Sequence, residues 1–257
     1  MILVGIDDTD NPESRGTGYL ARKLGALVAA SGIARLHEIT RHQLMFDRCI
    51  PYTSHNSALC MRVEVQSGGI SALAATCRSY LLKHNAVGSN VGLCIATSSD
   101  VPPVVEDFGF KAKKEILTQD RACELARCEG LLLEGLTGDH GGVIGALAAV
   151  GLRKSGRDGR IGWRPGLRET RGIVTAAHLL SHSGIDAIRR IHTGEPVGMS
   201  DLISVNPWPR SVMIDGQAVL LVEPTENPND QCQWQLVPKD ILLEFSGWAI
   251  GDRRLPR

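Results

Sequence analysis

The sequence contains few aromatic residues: phenylalanine, tryptophan and tyrosine make up 4% of its 257 residues. Its core must therefore be built mainly from leucine, valine, isoleucine and alanine. No apolar run approaches the roughly 20 residues that a membrane-spanning helix requires, which argues against such a helix. The formal net charge is zero, which excludes a globally basic nucleic-acid-binding protein but leaves a local basic patch open.

Paired cysteine motifs are also absent. The seven cysteines form an odd number and no signal peptide precedes them, so we expect reduced thiols in a cytoplasmic protein. Cys123 and Cys128 are separated by four residues and have no second pair, which gives little support for a zinc site.

Local patterns predict an α/β fold, with helices packed on a mixed sheet, and a smaller α+β or β-rich C-terminal part. The predicted strands span residues 2–6, 57–65 and 91–97, and the predicted helices span residues 17–32, 68–84 and 141–152. The amino-acid composition changes near residues 160–170, which predicts two domains, residues 1–162 and 163–257.

The remaining segments carry weaker signals. Residues 104–135 and 172–191 are predicted to be largely helical, and residues 234–251 to continue in a β-like manner. Two apolar runs joined around Asp215 and Gly216 predict a β-hairpin.

The run "GIDDTD" places Asp7, Asp8 and Asp10 directly after a predicted buried strand. Adjacent carboxylates repel each other, and a divalent cation would offset that cost. Alternate residues of an extended chain face the same way, so Asp8 and Asp10 are expected to converge on one Mg²⁺. Thr9 would point elsewhere or offer its hydroxyl to a phosphate. The alternative is a solvated acidic turn.

The run "RGTG" follows, from Arg15 through Gly16 and Thr17 to Gly18. Two glycines let backbone amides approach a ligand closely, and the helix that begins near Thr17 directs its positive end toward the loop. An anion bound there would lie beside the cation at the aspartates, as in a magnesium–nucleotide complex. The alternative is an ordinary helix start with Thr17 as its N-cap.

The run "TGDHGGVIGALAAVG" repeats this pattern before an apolar helix. The amides of Gly141 and Gly142 are candidates for binding a second phosphate, and Asp139 and His140 for proton transfer or metal binding. The small residues that follow, from Gly145 onward, are equally suited to close packing against a sheet.

Two further stretches precede predicted strands. "YTSHNSALC" contains Asn56 and "VGSN" contains Asn90, and both asparagines are candidates for a nucleotide site or for plain turns. The arginine-rich segment 152–171 is a candidate contact for RNA or for a phosphorylated small molecule, or a solvated surface.

Four blocks together resemble the catalytic domain of the archaeal tRNA(Ile) agmatidine synthetase family. They are "VGIDDTDNPESRGTGYLA", "IPYTSHNSALCMRVEV", "GSNVGLCIA" and "GGVIGALAAVG", in the same order over roughly residues 3–151. The resemblance implies a kinase-like domain that uses ATP and Mg²⁺, with the metal at Asp7, Asp8 and Asp10.

In that family a threonine just before a Tyr-Leu helix is phosphorylated during the reaction and ATP is cleaved to AMP. The matching position here is Thr17, and Asn56 matches the family better than its neighbour His55. Gly16 and Gly18 stand where the family has a cysteine and a second threonine. The archaeal enzyme continues into a nucleic-acid-binding barrel and a zinc ribbon that this sequence does not match.

Our first hypothesis is therefore an ATP- and Mg²⁺-dependent enzyme that transfers a phosphoryl or nucleotidyl group to an RNA base or small molecule. Its catalytic candidates are Asp7, Asp8, Thr17 and His140, and its nucleotide-binding candidates are Thr9, Arg15, Gly16, Gly18, Asn56, Asn90, Asp139, Gly141 and Gly142. The alternatives are an Asp-x-Asp phosphohydrolase of haloacid-dehalogenase type and a non-catalytic nucleotide- or RNA-binding protein.

Overall fold

A computed structural model of the chain describes residues 1–50, 55–225 and 231–246. The chain divides into two compact units, Met1–Ser155 and Gly156–Arg257, called here the N-terminal and C-terminal units. Strand β6 (Arg160–Trp163) belongs to the C-terminal unit, where Arg160 pairs with Val212.

The N-terminal unit begins with a βαββαβ arrangement of the ferredoxin-like kind. Its elements are β1 (Ile2–Asp7), α1 (Thr17–Ala30), β2 (Ala34–Gln43), β3 (Ser57–Val65), α2 (Gly69–His84) and β4 (Gly92–Thr97). A single 3₁₀ turn (Ser98–Asp100), α3 (Pro103–Lys111), α4 (Gln119–Cys128), β5 (Leu132–Gly135) and α5 (Val143–Ser155) follow. The strand order is β5-β4-β1-β3-β2 with antiparallel neighbours, so β1 is central.

Helix α5 packs directly on the sheet, which determines where the end of β1 points. Leu3, Gly5 and Asp7 share one face of β1 because side chains alternate along a strand. A Cβ atom on Gly5 would lie 2.0 Å from the Ala146 carbonyl oxygen of α5. The small residues of α5 therefore provide close packing, and the face of β1 that meets α5 ends in the Asp7 carboxylate.

The C-terminal unit is smaller and rich in strands. Its elements are β6, β7 (Ile173–Thr175), α6 (Ala176–His182), β8 (Ala187–Arg190), β9 (Leu202–Ser204), β10 (Ser211–Ile214), β11 (Gln217–Pro224), β12 (Trp234–Leu236) and α7 (Lys239–Ser246). The strand order is β6-β10-β11-β12-β9-β7, and β8 pairs with β11 in parallel. The predicted α/β class with a smaller β-rich C-terminal part is confirmed. Among the described residues, no helix has the length and apolar character to cross a bilayer.

The hairpin prediction at Asp215 and Gly216 is confirmed: both have positive φ, 48° and 78°, as a tight hairpin turn requires. Residues 104–135, predicted to be largely helical, form the two helices α3 and α4 and also strand β5. Two other predictions were wrong. Residues 172–191 form β7, α6 and β8 rather than mainly helix. The β-like continuation from residue 234 gives way to helix α7, and residues 247–251 lie outside the described part of the chain.

The cysteines divide into two groups that predict different reactivities. Cys49, Cys123 and Cys128 are exposed, whereas Cys60, Cys77, Cys94 and Cys232 are buried, and none of the seven is in a disulfide. Burial raises the pKa of the Cys60 and Cys77 thiols to about 12, which further suppresses the reactive thiolate. We expect native alkylation to label three cysteines rapidly, as counted by intact mass. Rapid modification of Cys60 without denaturant would contradict this packing.

Candidate active site

A cavity of about 260 Å³ lies where β1, the segment before β4 and the start of α5 meet; we call it the acidic cavity. Its polar part contains most of the residues that the sequence singled out: Asp7, Asp8, Asp10, Thr17, Asn56, Asn90, Asp139, Gly141 and Gly142. Its apolar part is formed by Leu44, Ile50, Ala112, Leu117 and Ile144, and Glu115 and Gln119 add polar groups beside it. The fold thus brings residues from distant parts of the sequence into one concave, largely acidic site.

Asp7 is held at this site by the contact between β1 and α5. A Cβ atom on Gly145 would lie 1.9 Å from the Asp7 Oδ2 atom, so only glycine leaves room for the carboxylate. Burial, and secondarily the charge of Asp8, raise the pKa of Asp7 to about 7. A carboxylate in this environment is stabilised by binding a proton or by a cation beside it.

Asp8 is held by the loop before β4 and the loop before α5. The Asn90 Nδ2 atom donates to Asp8 Oδ2 at 3.2 Å, and the backbone N–H of Asp139 donates to Asn90 Oδ1 at 3.0 Å. Burial raises the pKa of Asp8, and the hydrogen bonds from Asn90 oppose that shift. Asp8 has a φ of 50°, so the chain leaves the extended conformation here. The strand alternation expected for Asp8 and Asp10 is therefore wrong, yet both residues line the acidic cavity.

Two threonine hydroxyls and Asp10 form a hydrogen-bonded chain. The Thr9 hydroxyl donates to the Thr17 Oγ1 atom at 3.1 Å, and the Thr17 hydroxyl donates to Asp10 Oδ1 at 3.1 Å. Both threonines are buried. Gly16, with a φ of 80°, occupies the N-cap position of α1, so Thr17 does not cap the helix and its hydroxyl is directed to Asp10 instead.

The amides of Gly141 and Gly142 are already used within the protein. Gly141 N–H donates to Asp139 Oδ1 at 2.8 Å, and Gly142 N–H donates to the Asn90 carbonyl at 2.8 Å. A Cβ atom on Gly142 would lie 2.5 Å from that carbonyl oxygen. These glycines line the cavity because they allow close packing of the loops, which was the alternative to phosphate binding by their amides.

Five candidates do not line the acidic cavity: Thr9, Arg15, Gly16, Gly18 and His140. The His140 side chain packs against Gly135 of β5, where a Cβ atom would lie 2.3 Å from the imidazole Cγ atom. Gly18 lies within the first turn of α1. Arg15 and Gly16 line a second cavity of about 400 Å³, together with Thr9, Tyr19 and Tyr80; we call it the tyrosine cavity. Asp10 contributes to both cavities.

Sequence reasoning missed some residues that belong to the site. Arg41 of β2 donates through Nε to the Ser57 hydroxyl at 2.9 Å, and Ser57 lines the acidic cavity. Burial lowers the pKa of Arg41, while the nearby Asp10 charge acts in the opposite direction. Residues 52–54 of the "YTSHNSALC" stretch lie outside the described residues. Strand β2 itself carried no clear signal, and so no residue on it was a candidate.

Several arginines of the basic segment 152–171 have intramolecular partners. Arg153 forms a buried ion pair with Glu38. In the C-terminal unit, Arg164 Nη1 lies 2.8 Å from Asp186 Oδ2, and the Arg168 guanidinium lies 4.2 Å from the centroid of the Trp208 ring. These contacts give the arginines a structural role, which favours the alternative to an RNA-binding surface.

Within the described residues, no three His, Cys, Asp or Glu side chains are arranged as a complete metal site. The chemistry of the donors nevertheless suits a hard cation, because Asp7, Asp8 and Asp10 offer only carboxylate oxygens. The glycine at position 145 preserves the space around the Asp7 carboxylate. The residues therefore fit Mg²⁺ whose remaining ligands come from phosphate and water.

No family model matches the sequence. The chain is 25% identical over 154 residues to an uncharacterized protein of Methanocaldococcus jannaschii, covering 59% of this chain and 49% of that protein. It is 26% identical over 159 residues to the tRNA(Ile2) 2-agmatinylcytidine synthetase TiaS of Pyrococcus horikoshii, covering 59% of this chain and 35% of TiaS. The chain thus spans half or less of the length of these curated relatives.

Comparison with solved structures also finds a likeness to TiaS. The complex of TiaS with tRNA(Ile2) and ATP matches with a TM-score of 0.51 and 26% identity, over 58% of this chain and 36% of that chain. A structure described as a tRNA fluorescent labeling enzyme matches with a TM-score of 0.52 and 27% identity, over 58% and 35% of the two chains. The resemblance to the agmatidine synthetase domain that the four sequence blocks predicted is confirmed.

Proposed function

We propose that this protein is an ATP- and Mg²⁺-dependent enzyme that transfers a phosphoryl or nucleotidyl group to an acceptor, an RNA base or a small molecule. The observation that carries the proposal is the convergence of Asp7, Asp8 and Asp10 on one cavity in which the buried Thr17 hydroxyl donates to Asp10. The likeness to TiaS, a protein crystallised with ATP and tRNA, supports the use of ATP by this chain as well.

Asp7, Asp8 and Asp10 are the residues that would hold Mg²⁺. When bound, the ion would neutralise polyphosphate charge at the site, which is the main source of rate acceleration in phosphoryl transfer. Asn90 orients Asp8 through its side-chain amide, and Gly145 keeps the space that Asp7 occupies.

Thr17 is the proposed nucleophile within the chain. Its oxygen would form a bond to a phosphorus atom of ATP while the bond from that phosphorus to the leaving phosphate or nucleotide breaks. The Thr17 proton would pass to Asp10, whose Oδ1 atom already accepts it in a hydrogen bond of 3.1 Å. The Thr9 hydroxyl, which donates to the Thr17 oxygen, would occupy one lone pair of that oxygen and leave the other for the attack on phosphorus.

The phosphohydrolase alternative finds less support in the site. Its chemistry requires a lysine and a second acidic pair near the Asp-x-Asp motif. The described residues that line the acidic cavity include Asp139 and Glu115 but no lysine. The TiaS-like hypothesis requires no such lysine.

Replacing Thr17 tests the proposal. We expect Thr17→Ala to lower ATP turnover by about 10²- to 10⁴-fold, since it removes the attacking oxygen, and Thr17→Ser to retain most of the rate. Turnover and the ratio of AMP to ADP are read by liquid chromatography, and phosphate on residue 17 by mass spectrometry. Ser99→Ala, which removes an exposed hydroxyl outside both cavities, is the control. Wild-type turnover by Thr17→Ala would refute the role of this hydroxyl.

A further inference from the structure

The tyrosine cavity has a different chemical character from the acidic cavity. It is lined by the basic side chains Arg15, Lys23 and His84 and by the aromatic rings of Tyr19 and Tyr80. The Tyr80 and His84 rings lie with their centroids 4.3 Å apart, which forms a continuous aromatic wall on α2. Asp10 is the carboxylate that this cavity shares with the acidic cavity, and its Oδ1 atom accepts from Thr17.

The positive charges of this cavity are gathered around one ring. The Arg15 guanidinium carbon lies 4.3 Å and the Lys23 Nζ atom 5.7 Å from the centroid of the Tyr19 ring. Among the described residues, neither cation forms an ion pair with a carboxylate. Burial and, to a smaller extent, the charge of Arg15 lower the pKa of the adjacent Arg22. Like charges held this close are stabilised by a bound anion.

We infer that the tyrosine cavity binds a small molecule that carries a phosphate monoester on a ring-containing body. Arginine and lysine are the side chains that bind phosphate most strongly, and the Tyr19 and Tyr80 rings provide a surface for a planar or apolar body. The volume of about 400 Å³ is that of a small-molecule pocket rather than of an extended strand-binding groove.

The position of the tyrosine cavity gives this ligand a role. Thr9 lines the tyrosine cavity, Thr17 lines the acidic cavity, and the two hydroxyls are hydrogen-bonded to each other. A ligand bound at Tyr19 would therefore lie one hydrogen-bonded pair away from the proposed nucleophile. We assign the phosphate monoester as the second substrate of the enzyme. An oxygen of its phosphate would form a bond to the phosphorus held on Thr17 while the bond from that phosphorus to the Thr17 oxygen breaks, and Asp10, which lines both cavities, would return the proton to Thr17. This role rests on the proposed function, whereas the binding itself does not.

Calorimetry with phenyl phosphate, inorganic phosphate and phenol tests the binding. We expect phenyl phosphate to bind more tightly than inorganic phosphate, and phenol not to bind measurably. Lys23→Gln should weaken phenyl phosphate binding about tenfold, since it removes one charge-assisted contact. Lys83→Gln, at an exposed residue of α2 that does not line the cavity, should change nothing. Unchanged affinity in Lys23→Gln, or no saturable binding, would overturn the inference.

Two further measurements separate this inference from the proposed function. If the wild-type protein binds phenyl phosphate but not ATP, the proposed function and the second-substrate role are wrong, and the anion site remains. If the wild-type protein turns over ATP normally but does not bind phenyl phosphate, the anion site alone is wrong. A single-stranded oligoribonucleotide that binds more than a hundredfold tighter than phenyl phosphate, and loses that affinity in Lys23→Gln, would assign the cavity to RNA and overturn the small-molecule proposal.

Discussion

Asp7→Asn is expected to lower ATP turnover by at least about 10³-fold, because electrostatic stabilisation supplies most of the rate acceleration in phosphoryl transfer. The carboxylate stands at the end of the central strand, and Gly145 leaves just enough room for it beside α5. Asparagine has almost the same shape, so the substitution removes a charge and a cation ligand while it preserves the packing. Turnover is measured at saturating ATP and Mg²⁺, with Asp100→Asn, an exposed site outside the cavities, as the control.

The same substitution should stabilise the cation-free protein at high pH. Burial raises the pKa of Asp7 from 3.8 to about 7, so the folded state binds this proton more tightly than the unfolded state does. The folded protein therefore loses stability as the pH rises from about 4 through 7. In the presence of EDTA at pH 8, we expect Asp7→Asn to raise the free energy of unfolding by about 1–3 kcal/mol, and to change nothing below pH 4.

Together these two results would distinguish a catalytic carboxylate from a structural one. A structural carboxylate would lose stability and activity together on substitution, whereas Asp7→Asn is expected to lose activity and gain stability. Turnover close to that of the parent enzyme, measured in a variant of normal stability, would contradict the assignment of Asp7 to the reaction.

The sequence was informative where a motif and an element boundary coincide. The three aspartates follow a short buried strand, and glycines precede an apolar helix, so both ends of the acidic cavity were predictable from local pattern. The detailed geometry was not predictable. Asp8 adopts a φ of 50°, in the left-handed region that is uncommon for residues other than glycine, and this turn brings Asp8 to the cavity by a route that strand alternation does not describe.

Polarity on an inward face explains the missed strand. Residues Ala34–Gln43 read "ARLHEITRHQ", and Glu38, Thr40 and His42 are all buried. Strand prediction relies on apolar residues at the positions that face the core, whereas polar residues occupy these positions here. The Thr40 hydroxyl lies 2.8 Å from the His42 Nε2 atom and donates to the Cys60 carbonyl at 3.2 Å, so the polar groups are satisfied by partners that local sequence does not reveal.

Helix starts explain where two of the helical predictions were too coarse. In the segment predicted to be largely helical over residues 104–135, the Thr118 hydroxyl accepts from the Arg121 N–H and begins α4, the second of its two helices. In the C-terminal unit, the Thr175 hydroxyl accepts from the His178 N–H and begins α6. A single threonine in a segment of helix-forming residues is a weak signal for a helix start. It acts as an N-cap only where the backbone at that residue is extended, and local sequence does not determine this.

Glu38→Leu is expected to destabilise the N-terminal unit by about 3–5 kcal/mol, because it leaves a buried guanidinium without its carboxylate. Glu38 is fully buried, and its Oε1 atom accepts a hydrogen bond from the Arg153 Nε atom and forms an ion pair with the Arg153 Nη2 atom. Arg62 Nε lies 3.7 Å from the same oxygen. Urea-dependent exposure of the buried Cys60 thiol, followed by pulsed alkylation and mass spectrometry, reports unfolding of this unit alone.

Two comparisons separate the loss of the ion pair from a packing defect. The double variant Glu38→Leu with Arg153→Met should recover much of the lost stability, since both charges are then gone. Glu134→Leu breaks the solvent-exposed pair with Arg78, at 2.6 Å, and should cost much less than Glu38→Leu because water screens this pair. Equal costs for Glu38→Leu and Glu134→Leu would show that burial adds nothing to this pair.

The same pair connects the stability of the unit to its site. Arg153 lies in the last turn of α5, and Glu38 lies on β2, so the ion pair holds one end of α5 against the sheet. The other end of α5 carries Gly145 beside the Asp7 carboxylate. A shift of α5 would close or open that space, so Glu38→Leu should also reduce ATP turnover under conditions where the variant is still folded. Full turnover in the folded variant would show that the position of Asp7 depends on the start of α5 alone.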